Sequence, residues 1–177
     1  MQFLEIETLK QWQRALSLTR DPSARMPRLG LAILFVDSRL GDIDALPSSI
    51  TQSRVGIQNT IGVRLSRQQD GILQISGVLQ YLTAIDSIHI VGRAEEDCFW
   101  LGNACLRSST LPKYHKYLAN WRLYGDRDRG EVPISLYGDR PLVRASSYRI
   151  TQQLHRLTGC PVTLLEWQRQ HHSLGPE

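Results

Sequence analysis

The sequence predicts an α/β domain: a mainly parallel sheet with helices on both faces, in three layers, preceded by a separate N-terminal helix. Two patterns carry that expectation. Short apolar runs of strand type alternate with longer stretches whose apolar residues recur at helical spacing, which is the order of successive βαβ units. In addition, "LAILFVDS" at 31–38 is continuously apolar, as a parallel strand covered on both faces is.

Residues 3 to about 20 place Phe3, Ile6, Leu9, Trp12 and Leu16 at spacings of three and four, so one helical face is apolar and must pack on something. That surface is either the chain's own core or a partner protein. "DPSARMPRLG" follows and reads as a linker, which divides the chain into residues 1–28, a domain over 29–168 and a flexible tail over 169–177. After the first strand, "LGDIDALPSSI" is a short helix broken by Pro47, and "NTIGVRLS" (59–66) is the second strand. The next helix carries Ile72, Ile75, Leu79 and Leu82 on one face despite Gly71 and Gly77. "DSIHIV" (86–91) is the third strand, and "CFWLG" (98–102) adds a short hairpin or edge strand. "SSTLPKYHKYLANWRLYG" offers a Ser/Thr cap and then Leu111, Tyr114, Leu118 and Trp121 at helical spacing, so a helix is expected. "GDRDRGE" reads as a surface loop and "VPISLYG" (132–138) as the fourth strand. The last helix presents Ile150, Leu154 and Leu157 and stops at Gly159, a natural C′ residue; "PVTLLEW" (161–167) closes the pattern.

A chain of 177 residues suits one principal core, and an apolar fraction of 41% suits an ordered globular protein. No run approaches a membrane span. The N-terminus mixes charges among its apolar residues and lacks the form of a secretory signal, so a cytoplasmic chain is expected. Its three cysteines, odd in number and without close pairing, predict no disulfide framework and no zinc site. The net charge of +4 is spread among both signs, which reads as a salt-bridged surface rather than a nucleic-acid footprint.

Two strands end alike: "IHIVGR" and "SLYGDR" each run from apolar residues to a glycine and then to charge. In parallel sheets, chemistry sits where strands end. Taken in order, "ILFVDSRLGD", "RQQDGILQISGVLQ", "IDSIHIV", "FWLGNACLRSSTL", "ISLYGD" and "LHRLTGCPVTLL" resemble the domain of unknown function 4347 family. This is a bacterial domain of caspase–gingipain type, found within long, repeat-rich surface proteins. The resemblance spans roughly Leu31 to Leu165. It implies a caspase-like three-layer domain with a Ser-His-Gly after the third strand and a Cys after the fourth, the dyad of a thiol hydrolase. Here those positions hold Arg93 and Asp139, with Ala94 in place of the glycine. Arginine carries its proton at all physiological pH and cannot act as a base. If the two strands are neighbours, Arg93 and Asp139 either form an ion pair across a degenerate cleft or point apart into solvent.

His89 lies within its strand and is expected to be a hydrogen-bonded structural residue. Cys98 is the thiol nearest the cleft and would need His115 as a base to serve as a relocated nucleophile. Glu95, Glu96 and Asp97 do not reproduce a calcium loop, His171 and His172 are tail residues, and Cys160 is a small buried side chain. Trp100 and Trp121, with Arg122, Arg127, Arg129 and Arg140, are the binding candidates, since aromatics and arginines dominate contact sites when exposed. The expectation is a non-catalytic scaffold or protein-binding subunit within a larger assembly, without cofactor, metal or nucleic acid. The alternatives are a cysteine hydrolase using Cys98 and a weak nucleic-acid-binding protein.

Overall fold

β1 (Leu31–Asp37) is buried along nearly its whole length, as its unbroken apolar run requires. The structure, a computed structural model, describes residues 31–40, 59–82, 84–124 and 131–166. The N-terminal stripe from Phe3 to Leu16, the linker, the helix around Pro47, Arg127, Arg129 and the tail lie outside the described residues.

β1 pairs in parallel with β2 (Asn59–Leu65) on one side and with β3 (Ile85–Glu95) on the other. β3 in turn pairs in parallel with β6 (Ile134–Gly138), and β6 with β7 (Val162–Glu166). The main sheet therefore runs β2-β1-β3-β6-β7 with every strand parallel. Beyond it, β3 continues into an antiparallel ribbon with β4 (Cys98–Leu101) and β5 (Ala104–Leu106). The expected α/β class with a mainly parallel sheet is what forms.

Side chains alternate across the strands. Ile33, Phe35, Ile88, Ile90 and Leu136 point to one face, into the larger core beneath the helices. Leu34, Val36, Val91 and Tyr137 share the other face with Leu40 in a smaller cluster. α1 (Gly71–Leu79) buries Ile72, Ile75 and Leu79, the stripe its periodicity predicts. Asp70 starts this helix by accepting from the amides of Ile72 and Leu73, and its second oxygen accepts from the Tyr114 hydroxyl. α3 (Arg144–Thr158) buries Ile150 and Leu154, packs against β7 and ends at Gly159, whose φ of 71° is the left-handed conformation expected of it.

The region 107–124 departs from expectation. The single helix is replaced by two 3-10 turns, Leu111–Tyr114 and Trp121–Tyr124, on either side of the four-residue α2 (His115–Leu118). Helical geometry is interrupted at Tyr114, with φ −92° and ψ 7°. Two side-chain bonds to the α1 region fix the segment where it is: Tyr114 to Asp70, and Trp121 Nε1 to Ser76 Oγ at 2.9 Å. The apolar spacing is nevertheless used, because Leu111, Tyr114, Leu118 and Trp121 are all buried. Among the described residues, no helix is long and apolar enough to cross a membrane.

Trp121 is 1% exposed and fills the core rather than a surface. Trp121→Ala should lower unfolding stability by about 3–5 kcal/mol, read as a fall in the urea midpoint.

Candidate functional site

β3 outruns its neighbours. β1 ends at Asp37 and β6 at Gly138, while β3 runs on to Glu95 and turns back over the C-terminal edge of the sheet as β4. A strand that leaves a parallel ladder leaves amide groups without acceptors, and two carboxylates supply them here. Asp139 Oδ1 accepts from the Ala94 amide at 2.8 Å. Asp37, fully buried, accepts from the Gly102 amide at 2.6 Å and from the Arg39 amide at 2.8 Å. The aspartates ending β1 and β6 thus hold the ribbon from both sides.

The glycines before the charges have an equally local reason. A Cβ on Gly92 would lie 2.7 Å from the ring of Phe99 and from the Trp100 carbonyl oxygen. One on Gly138 would lie 2.9 Å from Ala94 Cβ. Phe99 is fully buried, and its ring lies over β3 at Gly92. Gly102, at φ +57°, makes the β4–β5 turn, and its amide reaches Asp37.

Arg93 and Asp139 emerge on adjacent strands, one residue past the paired glycines Gly92 and Gly138. They do not form the ion pair. Arg93 Nη2 instead reaches Glu95 Oε1 at 2.6 Å, because residues two apart on a strand share a face, while Asp139 is directed to the Ala94 amide. Glu95 also accepts from Trp100 Nε1 at 3.0 Å, and the Arg39 guanidinium lies 5.3 Å from the Trp100 ring centroid. Asp97 pairs with Arg107 at 3.1 Å. A cleft of about 460 Å³ opens beside the ribbon, lined among others by Glu95, Glu96, Trp100, Arg107 and Arg140. A smaller one of about 190 Å³ lies between Arg39, Arg93, Glu95 and Trp100. Trp100 and Glu95 form the wall between the two.

Cys98 requires correction. It is 2% exposed and joined to Cys105 in a disulfide, with Cα atoms 5.7 Å apart. The antiparallel ribbon brings the two residues within bridging distance, which sequence separation alone concealed. Cys98 is therefore not a free thiol awaiting a base, and His115 sits exposed on α2 without lining either cleft. Trp121 is removed from the surface candidates by its burial, whereas Arg122 and Arg140 are exposed. Cys160 is the buried free cysteine. Among the described residues no cluster of ligands fit to hold a metal ion occurs.

His89 behaves as a structural residue. Its ring bonds Ser87 Oγ at 3.0 Å and the Tyr137 hydroxyl at 3.1 Å, and burial holds its pKa below the ordinary histidine value. Sequence reasoning missed Asp37, Arg39, Phe99 and Gly102. The legible signal for Asp37 was a carboxylate closing an otherwise apolar strand; Phe99 offered none beyond its hydrophobicity.

A family model described as a domain of unknown function (DUF4347) matches residues 33–165. No curated protein and no solved structure matches the chain.

Removing either carboxylate from the ribbon strands an amide donor, so Asp37→Ala and Asp139→Ala should each cost about 1–3 kcal/mol in urea unfolding, with Asp37→Ala the larger. Since His89 is neutral in the fold and protonates more readily when unfolded, its contribution is fully present above pH about 6.5 and declines as pH falls toward its lower folded value. Stability measured between pH 7.5 and 5 should therefore fall less steeply in His89→Gln than in the natural chain; parallel profiles would refute the assignment.

Proposed function

Since the chain belongs to the DUF4347 family, a domain of unknown function matched over residues 33–165, we propose that it is a non-catalytic protein-binding subunit on a degenerate caspase-like hydrolase fold. The observation that carries this reading is the use made of Arg93 and Asp139, the positions where the resemblance calls for a histidine and a cysteine. Both serve the ribbon: one through Glu95, the other through the Ala94 amide. A guanidinium cannot take a proton from a nucleophile, and a carboxylate already accepting an amide hydrogen bond is a poor attacking group at a peptide bond. Phe99 and Ala94, packed over the two terminal glycines, leave a reacting carbonyl no room there.

What the edge does offer is contact surface. Trp100 is partly exposed, its indole N–H held by Glu95 and its face covered by Arg39. Arg140 stands at the mouth of the larger cleft without an ion-pair partner among the described residues. A pre-oriented indole flanked by guanidiniums is the composition of an energetic contact. The Cys98–Cys105 bond withdraws the argument for a reducing compartment that was drawn from unpaired cysteines.

Incubated with fluorogenic peptides that vary in the residue before the cleaved bond, the purified chain should give no turnover above the buffer blank. Turnover proportional to protein concentration would end this reading. The tagged chain should recover a stoichiometric protein partner from its native cells, and Trp100→Ala should reduce that recovery roughly tenfold, as loss of a central aromatic contact does.

A further inference from the structure

α3 carries four unbroken turns and no acidic residue, although acids and bases alternate over much of the rest of the chain. Ile150, Leu154 and Thr158 turn inward. Arg144, Tyr148, Gln152 and Arg156 follow one another at intervals of four along the outer face, with Arg149 beside them, and all five are exposed. The Gln152 amide donates to the Tyr148 hydroxyl at 2.8 Å, which fixes the middle of the row. At the C-terminal end Arg122 lies over Gly159, its Cδ 3.4 Å from where a Cβ would stand. From Arg144 to Arg156 the row extends about 18 Å.

None of these arginines has a carboxylate partner among the described residues, whereas Arg93 and Arg107 at the edge of the sheet are both paired. The arginines of α3 are therefore solvated without the ion pairs seen at the sheet edge. Arg149 and Arg156, seven residues apart, lie two turns from each other on the same side of the helix, with Arg144 a further turn toward its start. A row of them, uncompensated from within, is complementary to something supplied from outside. We propose that the outer face of α3 is a docking surface for an acidic segment of a partner protein, whose carboxylates are gripped by Arg144, Arg149 and Arg156 around Tyr148.

The composition favours a protein over a nucleic acid. The row is built from arginine with no lysine, and Tyr148, 63% exposed, lies within it, with Val143, 56% exposed, just before the helix. Arginine and tyrosine are enriched and lysine depleted in the centres of protein interfaces. The planar guanidinium also meets a carboxylate through two parallel bonds. The inference rests on the protein-binding reading above but uses a different face of the molecule.

The test uses a fluorescein-labelled octaglutamate peptide and fluorescence anisotropy at physiological salt. Binding should be saturable and should weaken roughly tenfold or more in the double variant Arg149→Glu, Arg156→Glu, as reversal of paired charges does. Tyr148→Ala should weaken it several-fold, and Arg67→Glu, in the exposed turn before α1, should leave it unchanged. All variants should retain the parental melting curve, since the altered side chains are exposed. Absence of peptide binding, or equal weakening by Arg67→Glu, overturns the proposal. So does a short duplex DNA that binds more tightly than the peptide through the same arginines. If a native partner is recovered equally by the natural chain and by the Arg149→Glu, Arg156→Glu variant, protein binding stands and this face is refuted as the contact. Failure of the non-catalytic reading is separate: it appears as peptide turnover, whatever octaglutamate does.

Discussion

Every backbone amide that leaves a sheet needs a new acceptor, and in this fold that requirement falls on β3 beyond Gly92. The strand continues past the ends of β1 and β6, so its last residues have no parallel neighbour on either side. Asp139 answers the need at Ala94 and the antiparallel β4 continues the ladder, while Asp37 at the end of β1 holds the far end of the ribbon through the Gly102 amide. The close approach this demands is possible because Gly92 and Gly138 present no side chain to Phe99 and Ala94. Strand-end glycine, strand-end carboxylate and the folded-back ribbon are one device.

That device decides what the C-terminal edge of the sheet can do. In open parallel sheets this edge is where ligands gather, because the strands end there and loops diverge. Here the ribbon lies across it, Phe99 packs over Gly92 of the central strand, and Asp139, Arg93 and Glu95 are engaged with a backbone amide or with one another. The exposed pairs Arg93–Glu95 and Arg107–Asp97 are worth at most about 1 kcal/mol each. They engage Arg93 and Arg107, while Arg39 lies over Trp100 and Arg140 lines the cleft beside it. A row of arginines without ion-pair partners among the described residues lies elsewhere, along the outer face of α3, so the covered edge and this row differ in character.

The central strands, α1 and α3 were all legible in the sequence, because their apolar periods are long enough to select one local structure. The region 107–124 was legible in burial but not in form. Leu111, Tyr114, Leu118 and Trp121 point inward as their spacing requires, yet hydrogen bonds from Tyr114 to Asp70 and from Trp121 to Ser76 hold the chain in short turns. Helical spacing fixes which residues lie together; it does not force continuous helical bonding when distant partners compete for the same side chains. The disulfide was hidden for a related reason. Cys98 and Cys105 are seven residues apart without a close-paired motif, and they come within bridging distance only when β4 turns back into β5.

The sequence by itself determined the alternation of strands and helices, the double burial of β1, the structural role of His89, the stop at Gly159 and the absence of a histidine–cysteine pair at the two strand ends. Each of these is encoded within a few neighbouring residues, where period, cap or side-chain chemistry acts locally. Tertiary structure alone decided that Arg93 would choose Glu95 over Asp139, that Asp37 would clasp Gly102, that Trp121 would be core while Trp100 stayed partly exposed, and that the arginines of α3 would stand without ion-pair partners among the described residues. Asp37 meets Gly102 and Asp139 meets Ala94 from far along the chain, which leaves Arg93 its neighbour on the same strand face, and that pairing of distant groups is set by the packing of the whole sheet rather than by any segment of it.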